Sequence, residues 1–487
     1  METLKTRSSG LLLHPTSLPS PHGIGGLGPE ARRFAELLAS AGQRWWQMLP
    51  VGPAGAGHSP YDSPSSFAGN SLLISPEGLV EDGLLNARDL SAPHFHPDDR
   101  VDFHAVARYK EPLLEKACAA FLAGRGDAAL RRGYEEFCAV HGDWLDDFAL
   151  FSVMKFLSRN KSWLVWGPEL RVRAQHSRLL KSVRLIQYFF YRQWSSLRSH
   201  CEGLGVGLIG DVPIFVSFES ADVWAHPELF ELDASGRPLA VSGVPPDYFS
   251  EFGQLWGTPL YRWDVLREKG YAWWLARLRQ AGERFGAVRL DHFIGFSRYW
   301  RIPAGAKDAR EGGWVAGPGD GFFQSVKENL PTLEIIAEDL GTLTPEVAAL
   351  RDRFDLPGMS VLQFGFEKVS RRCVIYTGTH DNDTTAGWFQ SLKKEEAEKT
   401  LSQLGCDGRE IHWDMIGAAF KSPADTAIVP VQDLLGLGAL DRMNTPGTDK
   451  GNWRWRLKPG ALCPEVLDRL KRLTEETGRL PSSRGAA

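Results

Sequence analysis

A chain of 487 residues carries 56 Lys and Arg against 60 Asp and Glu, a net charge of -4, with 43% hydrophobic and 24% charged residues. That balance removes the electrostatic case for nucleic acid or a membrane surface as partner, and no apolar run reaches the roughly 20 residues of a membrane helix. Met1 to Arg7 shows no basic-then-apolar signal, and the six cysteines lack paired spacing, so reduced thiols and a cytoplasmic setting are expected rather than disulfides or a zinc site.

In chain order, the first strand candidate is Gly10–His14. The glycine-rich run Gly23–Gly28 after it lacks both dinucleotide spacing and a P-loop lysine, so it reads as a turn. Pro29 then opens a helix with the stripe Phe34, Leu37, Leu38, and Trp45–Val51 is a second strand. Strand, helix, strand predicts a parallel sheet. Residues 53–205 read as a mainly helical insertion, with apolar faces such as Leu113, Leu114, Ala117, Phe121 and Leu145, Phe148, Ala149. Its opening, His58–Pro64, is rich in turn formers. Alternation resumes at Gly207–Val216, breaks for a loop-and-helix insertion over 217–286, and continues through Ala287–Phe293, Leu333–Leu340, Met359–Phe364, Cys373–Thr379 and Thr426–Val431. Eight parallel-type strands in a single catalytic domain predict an α/β fold, a closed (β/α)8 barrel. Pro464–Leu473 is an amphipathic last helix, and 482–487 should fray.

Three of these strands run from apolar into acidic residues and should deliver Asp291, Glu338 and Asp381 to the carboxyl face of the barrel, from three neighbouring strands. Paired carboxyl groups are what glycosidic bond chemistry requires, and a separation of about 5 to 5.5 Å signals retention through a covalent sugar intermediate. In that scheme Asp291 attacks and Glu338 alternates as acid and base, its proton retained by repulsion from neighbouring carboxylates. Arg289 shares a strand face with Asp291 and would keep it ionised. Singly, an Asp at a strand end is more often a cap or an ion-pair partner, and His14, His292 and His380 would be hydrogen-bonded core or loop residues. A metal at His380, Asp381 and Asp383 is disfavoured because consecutive strand residues face opposite ways, and no Gly-x-Ser-x-Gly turn supports a serine triad. The 17 Trp, 26 Phe and 10 Tyr mostly serve packing, although flat aromatic faces also suit sugar rings.

The motifs VRLDHF, IIAEDLG and YTGTHDNDT, with GDVPIFV upstream, HSPYDSPSSFAGN and LLLHPTSLPSPHGIGGLG earlier, VPPDYFSEFGQLWGTPLY between and MNTPGTDKGNWRWRL late, resemble the amylomaltases, the 4-α-glucanotransferases of glycoside hydrolase family 77. The resemblance covers nearly the whole chain. It implies a retaining barrel without a C-terminal β-sandwich, transferring α-1,4-glucan segments from a donor to the 4-hydroxyl of glucose or a maltooligosaccharide, with no cofactor or metal. By motif, Asp291 is then nucleophile, Glu338 acid/base and Asp381 transition-state stabiliser. Asp211, Arg289, His292 and His380 would line the reacting subsite, Tyr61 would stack there, and Ser59 and Trp256 would touch neighbouring rings. Tyr248, Phe249 and Gln254 belong to a substrate-binding loop over 242–261, and Asn444 to the late motif. Ile294, Gly26, Phe252 and Thr258 depart from the family pattern without removing a carboxylate. A monomer or weak homo-oligomer is expected. The alternatives are an α-glucan hydrolase using the same carboxylates and a non-catalytic glucan-binding protein.

Overall fold

The eight apolar runs close into one barrel. A computed structural model describes residues 3–91, 93, 95, 98–246, 251–366, 369–448 and 450–480. Its barrel strands are β1 (Ser8–Leu12), β2 (Trp45–Gln47), β3 (Gly207–Pro213), β4 (Ala287–Asp291), β5 (Glu334–Ala337), β6 (Gly358–Val361), β7 (Cys373–Tyr376) and β8 (Thr426–Pro430). They pair in the order β6-β7-β8-β1-β2-β3-β4-β5, every pair parallel. The last gap is bridged where the Ala337 N–H donates to the Pro357 carbonyl at 2.9 Å.

Alternation along each strand sorts the core into two shells. Leu12, Trp45, Ile209, Ala287, Ile336, Val361, Val374, Tyr376 and Ile428, at least one from each strand, fill the interior. Leu11, Trp46, Leu208, Val288, Ile335, Ile375 and Ala427 face outward. Trp45 fits only because of its neighbour: a Cβ on Gly207 would lie 2.5 Å from the indole ring.

Each strand ends earlier than the apolar run suggests. β5 stops at Ala337 and β7 at Tyr376, so Glu338, His380 and Asp381 sit in the loops beyond, and of the three predicted catalytic carboxylates only Asp291 is carried by a strand. Between β2 and β3 run the helices Phe103–Leu122, Ala128–Leu157, Pro168–Gln175 and Leu179–Gly203. The 217–286 segment, expected to be loops and helices, also contributes two strands. Ala240–Val244 and Gln254–Pro259 join Arg298–Pro303 and Gly313–Ala316 in an antiparallel sheet beside the barrel mouth.

The two ends of the chain are tied together. Arg479, fully buried, donates to the carbonyls of Ser8 (2.8 Å), Phe420 (2.8 Å), Ala424 (2.9 Å) and Asp425 (3.1 Å), while Arg7 donates to those of Thr477, Phe420 and Ser422, each at 2.9 Å. Residues 482–487 lie outside the described residues. No helix among the described residues is long and apolar enough to cross a membrane.

Candidate active site

Arg289 organises the mouth of the barrel. It stands opposite Asp211 in the β3–β4 register, and its Nη1 donates to both carboxylate oxygens of Asp211, at 2.9 and 2.7 Å. The same nitrogen lies 2.8 Å from Asp291 Oδ1, and Nη2 lies 4.0 Å from Glu338 Oε2. Two carboxylates from adjacent strands therefore face one guanidinium. Burial by itself would make Arg289 easier to deprotonate, but Asp211 and Asp291 outweigh it and hold the side chain firmly cationic. Exposure separates the groups: the side chains of Arg289 and Asp211 are 4% and 1% exposed, those of Asp291 and Asp381 27% and 42%. Only the second pair is open to a ligand in solution.

Glu338 follows β5 directly. Its Oε2 accepts the His292 backbone N–H at 2.7 Å and its Oε1 the Leu340 N–H at 3.1 Å. His292 itself takes a left-handed conformation (φ 53°), unusual for a residue with a side chain, as the chain turns off the end of β4. Burial pushes the Glu338 carboxyl up to about 8, helped by the charge on Asp291 and opposed by Arg289 and the two N–H donors. Burial also pushes His292 down to about 4, so its ring is neutral near pH 7. Asp211 is raised by burial to about 6, with Arg289 opposing.

The third carboxylate does not come from an adjacent strand. Asp381 follows β7, with β6 between it and β5, and reaches the mouth on the turn after the strand. Its Oδ1 accepts from Asn444 Nδ2 at 2.6 Å, and its Oδ2 lies 3.2 Å from His380 Nε2. Partial loss of water around it would raise this carboxyl, but His380 and Asn444 more than offset that and keep it well below the usual carboxylate range. Strand alternation was thus the wrong reason to set aside a metal at residues 380–383, because that segment is a turn. There Asp383 Oδ1 caps the Thr384 N–H at 2.7 Å instead.

Tyr61 links the two halves. Its hydroxyl donates to Asp211 Oδ2 at 2.8 Å and meets His380 Nε2 at 2.7 Å, with the two rings stacked at 5.3 Å. Its N–H donates to Ser59 Oγ at 3.2 Å. With both oxygens occupied, Asp211 sits behind Arg289 and Tyr61 rather than at the surface of the cleft. From the lateral sheet, Trp256 packs its indole nearly perpendicular to the His292 ring (centroids 4.9 Å apart) and donates from Nε1 to Gln254 at 3.0 Å. Tyr248 and Phe249 lie outside the described residues.

Trp453 and Arg442 escaped the sequence reading, and His14 was expected there only as a core or loop histidine. Trp453 packs against Tyr61 and His380, with centroids 5.7 and 6.1 Å away. His14, pushed down to about 3 by burial and by His380, lines a small cleft with His380 and Arg442. Arg442 donates to the main chain of Asp381 and Asn444. The run GNWRW around Trp453 was the one visible signal, since an exposed loop seldom spends two tryptophans.

A barrel of this kind, with ionisable groups gathered at the carboxyl ends of its strands and an aromatic wall beside them, defines a carbohydrate-active enzyme. The chain belongs to the 4-α-glucanotransferase family: the family profile described as 4-alpha-glucanotransferase matches residues 13–462. It is 46% identical over 501 aligned residues to the 4-alpha-glucanotransferase of Thermus thermophilus, covering 97% of this chain and 99% of that one. With the Synechocystis enzyme of the same name the identity is 43%, over 98% and 99% of the two chains. The amylomaltase of Streptococcus agalactiae in complex with acarbose superimposes with a TM-score of 0.93 at 35% identity, over 98% of this chain and 100% of that one.

Proposed function

We propose that this 4-α-glucanotransferase works by retention, moving α-1,4-glucan segments through a covalent glycosyl-enzyme. Asp291 attacks the anomeric carbon of the donor while Glu338 gives its proton to the departing 4-oxygen. The shortened glucan leaves, and the 4-hydroxyl of glucose or a maltooligosaccharide takes its place. Glu338 removes the proton of that hydroxyl as its oxygen displaces Asp291. Asp381 holds sugar hydroxyls as charge develops at the anomeric carbon, and Asp211 acts through Tyr61 and Arg289. The observation that carries this reading is the approach of Asp291 and Glu338 to one guanidinium, at 2.8 and 4.0 Å. The resulting coupling suits the cycle: glycosylation cancels the charge on Asp291, the proton affinity of Glu338 drops, and the acid of the first half becomes the base of the second. A reducing, cytoplasmic setting fits the six free cysteines.

Incubation with pure maltotriose is the direct test. Oligosaccharides longer than the starting material are expected alongside glucose and maltose; glucose and maltose alone, without chain growth, would make the chain a hydrolase.

The pH profile follows from Glu338. Its folded-state pKa is raised to about 8, so the proton-bearing form is present below that value and is lost as pH rises through it. For an ordinary glucan donor, kcat/KM should fall on an alkaline limb centred near pH 8. For a maltosyl fluoride donor, whose leaving group needs no proton, the rate of enzyme glycosylation should lack that limb. The same limb with both donors would take the acid role away from Glu338.

A further inference from the structure

We propose that Arg442 is a positioning residue for Asp381, acting through the main chain of two loops. Asp291 is fixed by its strand and by Arg289, whereas Asp381 lies beyond the end of β7 and Asn444 well beyond the end of β8. A side chain on a loop needs an external hold to keep a productive geometry. Arg442 supplies one: Nη2 donates to the Asp381 carbonyl and Nε to the Asn444 carbonyl, each at 2.7 Å. These are the two residues whose side chains meet, Asn444 Nδ2 to Asp381 Oδ1 at 2.6 Å, and the Asn444 N–H also donates to the His380 carbonyl at 3.1 Å. One rigid guanidinium thus fastens both backbones directly behind the amide–carboxylate contact.

An arginine kept for substrate would present its fork to a sugar or a carboxylate. Here both hydrogen bonds of the fork go to main-chain carbonyls. Its removal frees the turn over residues 379–383 to shift against the 442–444 segment. The Asp381 carboxylate then loses its fixed orientation while Asp291, Glu338 and their guanidinium stay in place. Because Asp381 is assigned its work in the transition state, the loss should appear in kcat rather than in KM. Lysine keeps the charge but offers a single point donor, so it can restore only part of the hold.

The inference rests on the role proposed for Asp381, and a double-mutant cycle separates the two. With maltotriosyl fluoride as donor and maltose as acceptor, Arg442→Ala should lower kcat about 100-fold with KM within about threefold, and Arg442→Lys should recover part of the loss. In an Asp381→Asn background the same Arg442→Ala change should cost no more than about threefold. Equal losses in both backgrounds, or a change confined to KM, would overturn the positioning role while leaving that of Asp381 intact. An Asp381→Asn enzyme at full rate would overturn both. If Arg442→Ala melts well below the parent, Arg442→Lys alone carries the cycle, with the same non-additivity expected.

Discussion

Replacing Asp291 with asparagine should lower kcat/KM for glucan transfer by ~10⁴-fold or more, a barrier increase of about 5.5 kcal/mol or above. The reason is local. An amide has nearly the same shape and can still lie beside Arg289, but it carries no charge and is a poor nucleophile, so no covalent sugar forms. Arg289 keeps its two hydrogen bonds to Asp211, so the fold of the barrel mouth should survive. Activity near the parent level, with an unchanged thermal melt, would remove Asp291 from the reaction altogether. Loss of activity accompanied by a collapsed melt would make its role structural.

Glu338→Gln should divide the reaction into its halves. With starch or maltooligosaccharides, turnover is expected to fall about 10²- to 10⁴-fold, because the leaving oxygen receives no proton. With maltosyl fluoride the first half proceeds, and the second stalls for want of a base to activate the acceptor. A glycosylated chain should then accumulate, visible by intact mass as the parent plus one maltosyl unit. The glutamine oxygen can still accept one of the two N–H bonds now made by Glu338, from His292 or Leu340, so the substitution is mild in shape. A fully active variant, or one that never accumulates the adduct while turning over natural donors, would reassign the acid/base.

The barrel was legible because parallel strands buried on both faces leave continuous apolar runs, and each of the eight runs became a strand. Where each ladder stops was not legible. The run through Glu338 continues in character past Ala337, and only the partner strand decides where pairing ends. The lateral sheet was missed for the opposite reason. Gln254–Pro259 is short, largely exposed and contains Gly and Pro, and Ala240–Val244 pairs with Arg298–Pro303 far along the chain. Within the site, Asp291, Glu338 and Arg289 announced themselves through residue types that chemistry needs, whereas Tyr61 was marked only by the family resemblance of its motif. Arg442 was not marked at all, because a side chain that acts on carbonyl oxygens leaves no complementary residue type to find. The assignment of Asp381 to a neighbouring strand overlooked a strand the sequence itself offers, since Met359–Phe364 lies between the runs that carry Glu338 and Asp381.

The knot of Arg7 and Arg479 has a bearing on how this enzyme is made. One flank of β1 is paired by β2, close by in sequence, but its other flank is paired by β8, from Thr426 onward, and sealed by Arg479. Until β8 is made, that flank of β1 has no partner and is open to any stray strand. A chain lacking Thr426–Pro430 would still carry Asp291, Glu338 and Asp381 but not the strand that closes the wall beside β1.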